Sequence, residues 1–221
     1  MSIGSTAVLS ERADALNESV AEASRPTRRN TRDDVLRVGA EIIAEKGFSE
    51  ASVRDIADAL GITKSTVYHH VESKDHLLFA IISSYQWHGR RMIDLARAAG
   101  PDPRDSLTVF IRELVGMNAS DTVMATLLAR ELRSLKGDHS KEVIALRDEY
   151  ETFVRGIILG GQATGTFRKD VDARLATIGV FALANSLHQW YRPNGLYAAK
   201  EVADSFVKII LQGLAAQPVS A

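Results

Sequence analysis

The stretch from Gly47 to Asp75 constrains the fold most, because it fits two short helices around a tight turn and very little else. Ser52 precedes Val53–Leu60 as an N-cap. Asp55 follows three residues later in the capping-box position, so the first short helix has a defined start. Ile56, Ala57 and Leu60 give that helix one apolar face, and Ala57 is small where a second helix must come close. Gly61 then supplies a left-handed turn residue, Ile62 plugs the corner and Thr63 caps the next helix. In that next helix Thr63, Lys64, Ser65, Thr66, Tyr68, His69 and His70 leave only Val67 and Val71 as apolar anchors. So narrow a buried seam, with so many hydrogen-bonding side chains outside it, suits contact with a polar partner. Behind a helix-turn pair, the expected partner is the major groove of DNA.

The flanking sequence is helical throughout. Thr31 caps a helix running to about Lys46, with Val35, Leu36, Val38, Ile42 and Ile43 at helical spacing, Asp33 and Asp34 in the first turn and Gly47 past the end. Ser73 caps a fourth helix reaching about Ala99. Beyond Gly100-Pro101-Asp102-Pro103, amphipathic stretches cover 103–117, 120–135, 139–164, 171–192 and 197–215. None shows the period-2 alternation of a strand. The expectation is an all-α chain: a three-helix DNA-binding domain with a helix-turn-helix over 31–79, and a larger helical ligand-binding and dimerisation domain over 80–221. Residues 1–30 read as a flexible tail ending in a basic arm, Arg-Pro-Thr-Arg-Arg-Asn-Thr-Arg at 25–32. Within it Arg28 and Arg29 are placed to reach phosphates or the minor groove; the bland alternative is a solvated linker.

Bulk properties narrow the function. The 221 residues carry a net charge of −1, which argues against a general nucleic-acid coat; a specific DNA binder needs only a basic contact face. With no cysteine, thiol catalysis, disulfides and thiolate-ligated metals are excluded. No run of about 18 apolar residues predicts a membrane span. The N-terminal residues lack the apolar core of a signal peptide, so a cytoplasmic location is expected. No cofactor is implied.

Residues 31–80 resemble the N-terminal domain of TetR-family transcriptional repressors. The resemblance rests on Ile42 to Phe48, Ser52-Val53-Arg54-Asp55-Ile56-Ala57, Gly61 to Val71, and Ser73-Lys74-Asp75-His76-Leu77-Leu78. It implies an all-helical, dimeric regulator that a small molecule releases from its operator. It also implies that Thr63–Val71 enters the major groove. Lys64, Ser65 and Thr66 then face base edges or phosphates, and Tyr68 and His69 meet the backbone. Lys74 would hold a phosphate at the start of the next helix, and Ser52 and Arg54 would grip the opposite strand. His69 and His70 point about 100° apart on a helix, so they cannot share one metal ion.

Further along, Gly165 to Asp172 looks like the family's turn before its last two helices. Trp190-Tyr191-Arg192-Pro193-Asn194-Gly195 is similar to the corresponding segment in members that respond to acyl-CoA thioesters or other lipid-derived ligands. A hydrophobic or acyl-CoA-like effector is therefore expected. Phe110, Leu114, Met117, Met124, Leu128 and Phe153 form either the wall of its pocket or plain core; Asn118, Arg130, Tyr150, Arg155, Gln162, Asn185, His188, Gln189 and Trp190 are polar candidates among them. One apolar stripe, Ile178, Phe181, Ala182 and Asn185, and a second, Val202, Phe206, Ile209, Ile210 and Gly213, suit a four-helix homodimer interface; the alternative is an internal core.

Two rival classes remain. An enzyme would need a nucleophile, a phosphate loop or a metal pair. The chain has no G-x-S-x-G and no glycine-rich phosphate loop, and His88, His139 and His188 are scattered without partners. A helical protein-interaction module without DNA binding is opposed by the hydrophilic second helix and the arginine arm.

Overall fold

The computed structural model describes residues 31–216, and at 86–88 the backbone alone. Helices α1 (Arg32–Lys46), α2 (Val53–Leu60) and α3 (Lys64–His70) are followed by the long α4 (Lys74–Ala98). Then come α5 (Pro103–Ser120), α6 (Thr122–Glu131), a 3-10 turn at Leu132–Ser134, and α7 (Gly137–Thr164). The described residues end with α8 (Ala173–Asn185), the single turn α9 (Leu187–Trp190) and α10 (Ala199–Leu214). Among the described residues no strand forms; one isolated bridge joins Phe167 to Ala215.

The local signals explain the N-terminal helices. Asp55 N–H donates to the Ser52 hydroxyl at 3.2 Å, and Ser52 N–H donates back to the Asp55 carboxylate at 2.8 Å, completing the capping box. Lys46, the last residue of α1, donates to the same carboxylate at 2.8 Å and so pins α1 to the start of α2. Gly61 ends α2 with φ 65° and ψ 34°, backbone that a side chain would disfavour. Thr63 and Ser73 accept from Thr66 N–H and His76 N–H, starting α3 and α4.

Two predicted stretches are broken by side chains that take backbone bonds. The expected helix over 120–135 starts instead at an Asp121 cap, whose carboxylate accepts from Met124 N–H at 2.9 Å, and tightens into the 3-10 turn. The expected helix over 171–192 stops at Asn185. Ser186 Oγ donates to the Leu183 carbonyl and Asn118 Nδ2 to the Ala184 carbonyl, which draws both away from regular helix bonding.

Two apolar clusters hold the molecule. The first packs Val35, Ile43, Ile56, Val67, Val71, Leu77 and Ile81 with Met124, Leu127, Leu135 and Val143. The second gathers Ile93, Phe110, Ile111, Val154, Ile158, Phe167, Val180, Val207 and Leu214. Helix α4 contributes to both and runs without interruption through residues 79 and 80, where the sequence suggested a domain boundary. Of the two stripes proposed for dimerisation, Ile178, Ala182, Ile209 and Gly213 are exposed, as is Leu175, whereas Val202 is buried in the protomer's own core.

Candidate DNA interface and effector cavity

Helix α3 is only seven residues long, too short to stand alone, and is held by burial of Val67 and Val71 against α2 and α4. That anchoring leaves Lys64, Ser65, Tyr68 and His69 exposed along one face. Tyr68 keeps 49% of its surface open, so its ring and hydroxyl are accessible from solvent. Thr66 is half-buried, and its hydroxyl lies 3.0 Å from that of Thr63, so in the free protein the two satisfy each other. Arg54 is exposed and within 3.5 Å of Asp58, a solvent-facing (i, i+4) pair that holds the guanidinium only weakly. Ser52 is exposed but its hydroxyl donates to Asp55.

Lys74 does not extend freely as a phosphate-binding arm. Its ammonium donates to the Ser49 carbonyl at 3.1 Å and lies 4.6 Å from the Phe48 ring centroid. It ties the α1–α2 loop to the start of α4 and must swing out before it can meet DNA. Arg28 and Arg29 lie outside the described residues.

Between α4, α5, α6, α7 and α8 lies a cavity of about 350 Å3. Of the residues expected to form a pocket, Leu114, Met117, Asn118, Leu128, Tyr150 and Asn185 line it. The others lie elsewhere. Phe110 is fully buried in the second cluster, its ring against Phe153 and Phe181. Met124 is buried in the first cluster, and Phe153 lies under the Arg97 guanidinium. Gln189 is exposed. Trp190 packs edge-on against Tyr191 and Phe206 and donates to Ser186 Oγ at 3.1 Å.

Sequence reasoning missed Tyr85, Gly89 and Met92 on α4 and Arg133, Arg147 and Glu151 at the cavity rim. The first three recur at i, i+4 and i+7, a legible helical face. Gly89 belongs there for a steric reason: a Cβ at this position would collide with the end of the Tyr150 ring. Burial, and secondarily the charge of Asp121, hold the Tyr85 phenol protonated well above the usual tyrosine range. Burial likewise raises the Tyr150 phenol, with Glu149 adding and Arg90 opposing. Arg133 and Arg147 make no ion pair among the described residues. His139 is occupied elsewhere, its Nδ1 2.7 Å from the Asp75 carboxylate and its ring stacked on Phe79. Among the described residues no group of three His, Cys, Asp or Glu converges on a metal position, and no helix is long and apolar enough to cross a membrane.

The family models match both halves of the chain. Residues 35–81 fit the "Bacterial regulatory proteins, tetR family" domain and residues 100–214 the "Tetracyclin repressor-like, C-terminal domain". The chain belongs to the TetR family. It is accordingly a DNA-binding transcriptional regulator and not an enzyme. Among TetR-family relatives, the HTH-type transcriptional repressor KstR2 of Rhodococcus jostii is 29% identical over 185 residues, covering 83% of this chain and 91% of that protein. The structure of the ketosteroid transcriptional regulator KstR2 of Mycobacterium tuberculosis superposes with TM-score 0.79 at 22% identity, covering 87% of this chain and 98% of that one. AibR, solved with isovaleryl coenzyme A and operator DNA, superposes with TM-score 0.73 at 21% identity, covering 80% and 96%.

Proposed function

We propose that this regulator is a homodimeric repressor that binds a palindromic operator and is released from it by a hydrophobic or acyl-CoA-like effector held in the α4–α8 cavity. One observation carries the reading. Helix α4 begins directly after the recognition helix α3 and, farther along, supplies Tyr85, Gly89 and Met92 to the cavity wall. An occupant that shifts α4 therefore moves α3, and an effector acts by favouring the arrangement in which the two α3 helices of a dimer no longer match successive major grooves, about 34 Å apart.

The DNA-facing set is Lys64, Ser65, Thr66, Tyr68 and His69 on α3, with Ser52, Arg54 and Lys74 on the flanks and Arg28 and Arg29 on the arm. The near-neutral chain concentrates its affinity in that set, doubled by dimerisation. The dimer forms through the exposed faces of α8 and α10, where Leu175, Ile178 and Ile209 lie open. The effector's apolar body meets Leu114, Met117, Leu128 and Phe181, and its charged end lies toward Arg133 and Arg147. The isovaleryl coenzyme A in the AibR structure and the steroid-related name of KstR2 support an effector of this kind. Such a regulator works in the cytoplasm, where DNA and coenzyme A thioesters meet.

The test is a gel-shift titration of DNA from upstream of the chain's own gene, with and without a panel of coenzyme A thioesters. Retarded DNA that a thioester releases is the expected result. Failure of any upstream DNA to be retarded at low salt would favour the protein-interaction module instead.

A further inference from the structure

The cavity wall contains one run of polar side chains, and its direction is fixed by the backbone. Asn118, on α5, is buried, with only 4% of its surface exposed. Its Nδ2 lies 3.0 Å from the Ala184 carbonyl, which can only accept, so the amide nitrogen faces α8. The Asn118 oxygen therefore faces α4 and accepts from the Tyr85 hydroxyl at 3.3 Å. The second Asn118 N–H is directed to Asn185 Oδ1, also at 3.3 Å. This commits the Asn185 oxygen and leaves its NH2 group as the outer end of the chain. Both of these side-chain bonds run one way, from Tyr85 through Asn118 to Asn185.

The end of this chain is thus a donor. Asn185 Nδ2 has no hydrogen-bond partner among the described residues, and Asn185 lines the cavity one helical turn from Phe181. Of the apolar side chains on the same cavity wall, Leu114 and Leu128 offer no acceptor and Met117 only a weakly accepting thioether sulfur. Asn185 is exposed, so its NH2 group meets solvent in the free protein; a purely hydrocarbon occupant packed over it would displace that solvent and offer no acceptor in return, which is the costly arrangement.

We propose that the effector carries a hydrogen-bond acceptor oxygen, a carbonyl, within its apolar body, and that Asn185 reads it while Asn118 and Tyr85 hold Asn185 in orientation. Asn185 is the specificity determinant and Asn118 its positioning residue. This rests on the cavity being the effector site. The effector is an oxygenated hydrophobic molecule and not a plain saturated chain. Both a free keto acid and its coenzyme A thioester present that oxygen.

The experiment uses the full chain and matched ligand pairs. Straight-chain and fused-ring carboxylic acids bearing one ketone are each compared with the deoxy parent, as free acids and as coenzyme A thioesters, by calorimetric titration. The expected result is that at least one ketone binds about tenfold or more tighter than its parent, the scale of one satisfied hydrogen bond. The thioester and free-acid arms tell the two sources apart. In Asn185→Leu, an exposed position whose replacement spares the core, that ratio falls to about one, because the ketone loses its donor and the parent no longer covers an unsatisfied NH2 group. A loss of folding or of packing alone would weaken both members of a pair equally. Leu128→Trp, which fills the cavity, separates the two readings. If it leaves all affinities intact, the cavity is not the site and both readings fall. If it abolishes binding yet ketones and parents bind the wild type equally, or no ketone binds, only the present inference is overturned.

Discussion

Replacing Gly89 with alanine sets two effects of known sign against each other. Gly89 lies inside the 25-residue α4, where glycine costs about 1 kcal/mol relative to alanine. Propensity alone therefore predicts stabilisation. Against this, the new Cβ would overlap the hydroxyl end of Tyr150, a ring that is 9% exposed and packed between α4 and α7. Forcing an extra carbon into so tight a space costs about 1–3 kcal/mol, so the net change is about 0–2 kcal/mol of destabilisation. Gly156 supplies the control. It lies within α7, and nothing approaches its Cβ position within 4 Å. Gly156→Ala should therefore stabilise by roughly 0.5–1 kcal/mol from propensity alone. Urea denaturation of both variants at equal protein concentration reads the difference, expected at about 0.5–3 kcal/mol. Tyr150 also lines the cavity, so Gly89→Ala should weaken ligand binding and Gly156→Ala should not. If both variants are stabilised alike and bind ligand alike, the close approach of Tyr150 to α4 does not exist in solution.

Three further outcomes are expected. Lys64→Ala should lower operator affinity and make the log–log salt slope shallower by about 0.9 for each phosphate that Lys64 neutralises, measured by anisotropy at several salt concentrations; an unchanged slope removes Lys64 from the phosphate set. Hydrogen bonds from Lys46 and then Ser52 hold the Asp55 carboxyl well below the usual aspartate range. Its contribution is thus full above the unfolded value near pH 4 and is lost as pH falls toward the folded one, so the stability gap between wild type and Asp55→Asn should shrink on acidification, and a gap independent of pH would contradict the pairing. Ile178→Asp paired with Ile209→Asp should convert the proposed dimer to monomer in analytical ultracentrifugation, because the proposed interface would bury a charge on each of the two faces; a persistent dimer would move the interface elsewhere.

The N-terminal helices were legible because their signals are local. Ser52 with Asp55, Gly61, Thr63 and Ser73 all act within three or four residues, and each forms the cap its sequence implies. Lys74 was legible as a charge but not as a strut, since its partners Phe48 and Ser49 lie some 25 residues back. The cavity was legible only in part. Phe110 and Leu114 are one turn apart on α5 with similar chemistry, yet long-range packing of Phe153 and Phe181 sends Phe110 into the core, while Leu114 faces open space. The Asn118 relay was out of reach, because its register depends on α8 ending where the chain bends.

The first apolar cluster has a consequence for engineering. Leu127, Leu135 and Val143, all from beyond residue 120, are fully or nearly fully buried against Val35, Ile43, Leu77 and Ile81. A biosensor built by grafting residues 31–79 onto a foreign sensing domain would therefore inherit half a core. Chimeras should instead exchange ligand-facing side chains on a retained scaffold, or carry the α6–α7 corner along with the reader head it supports.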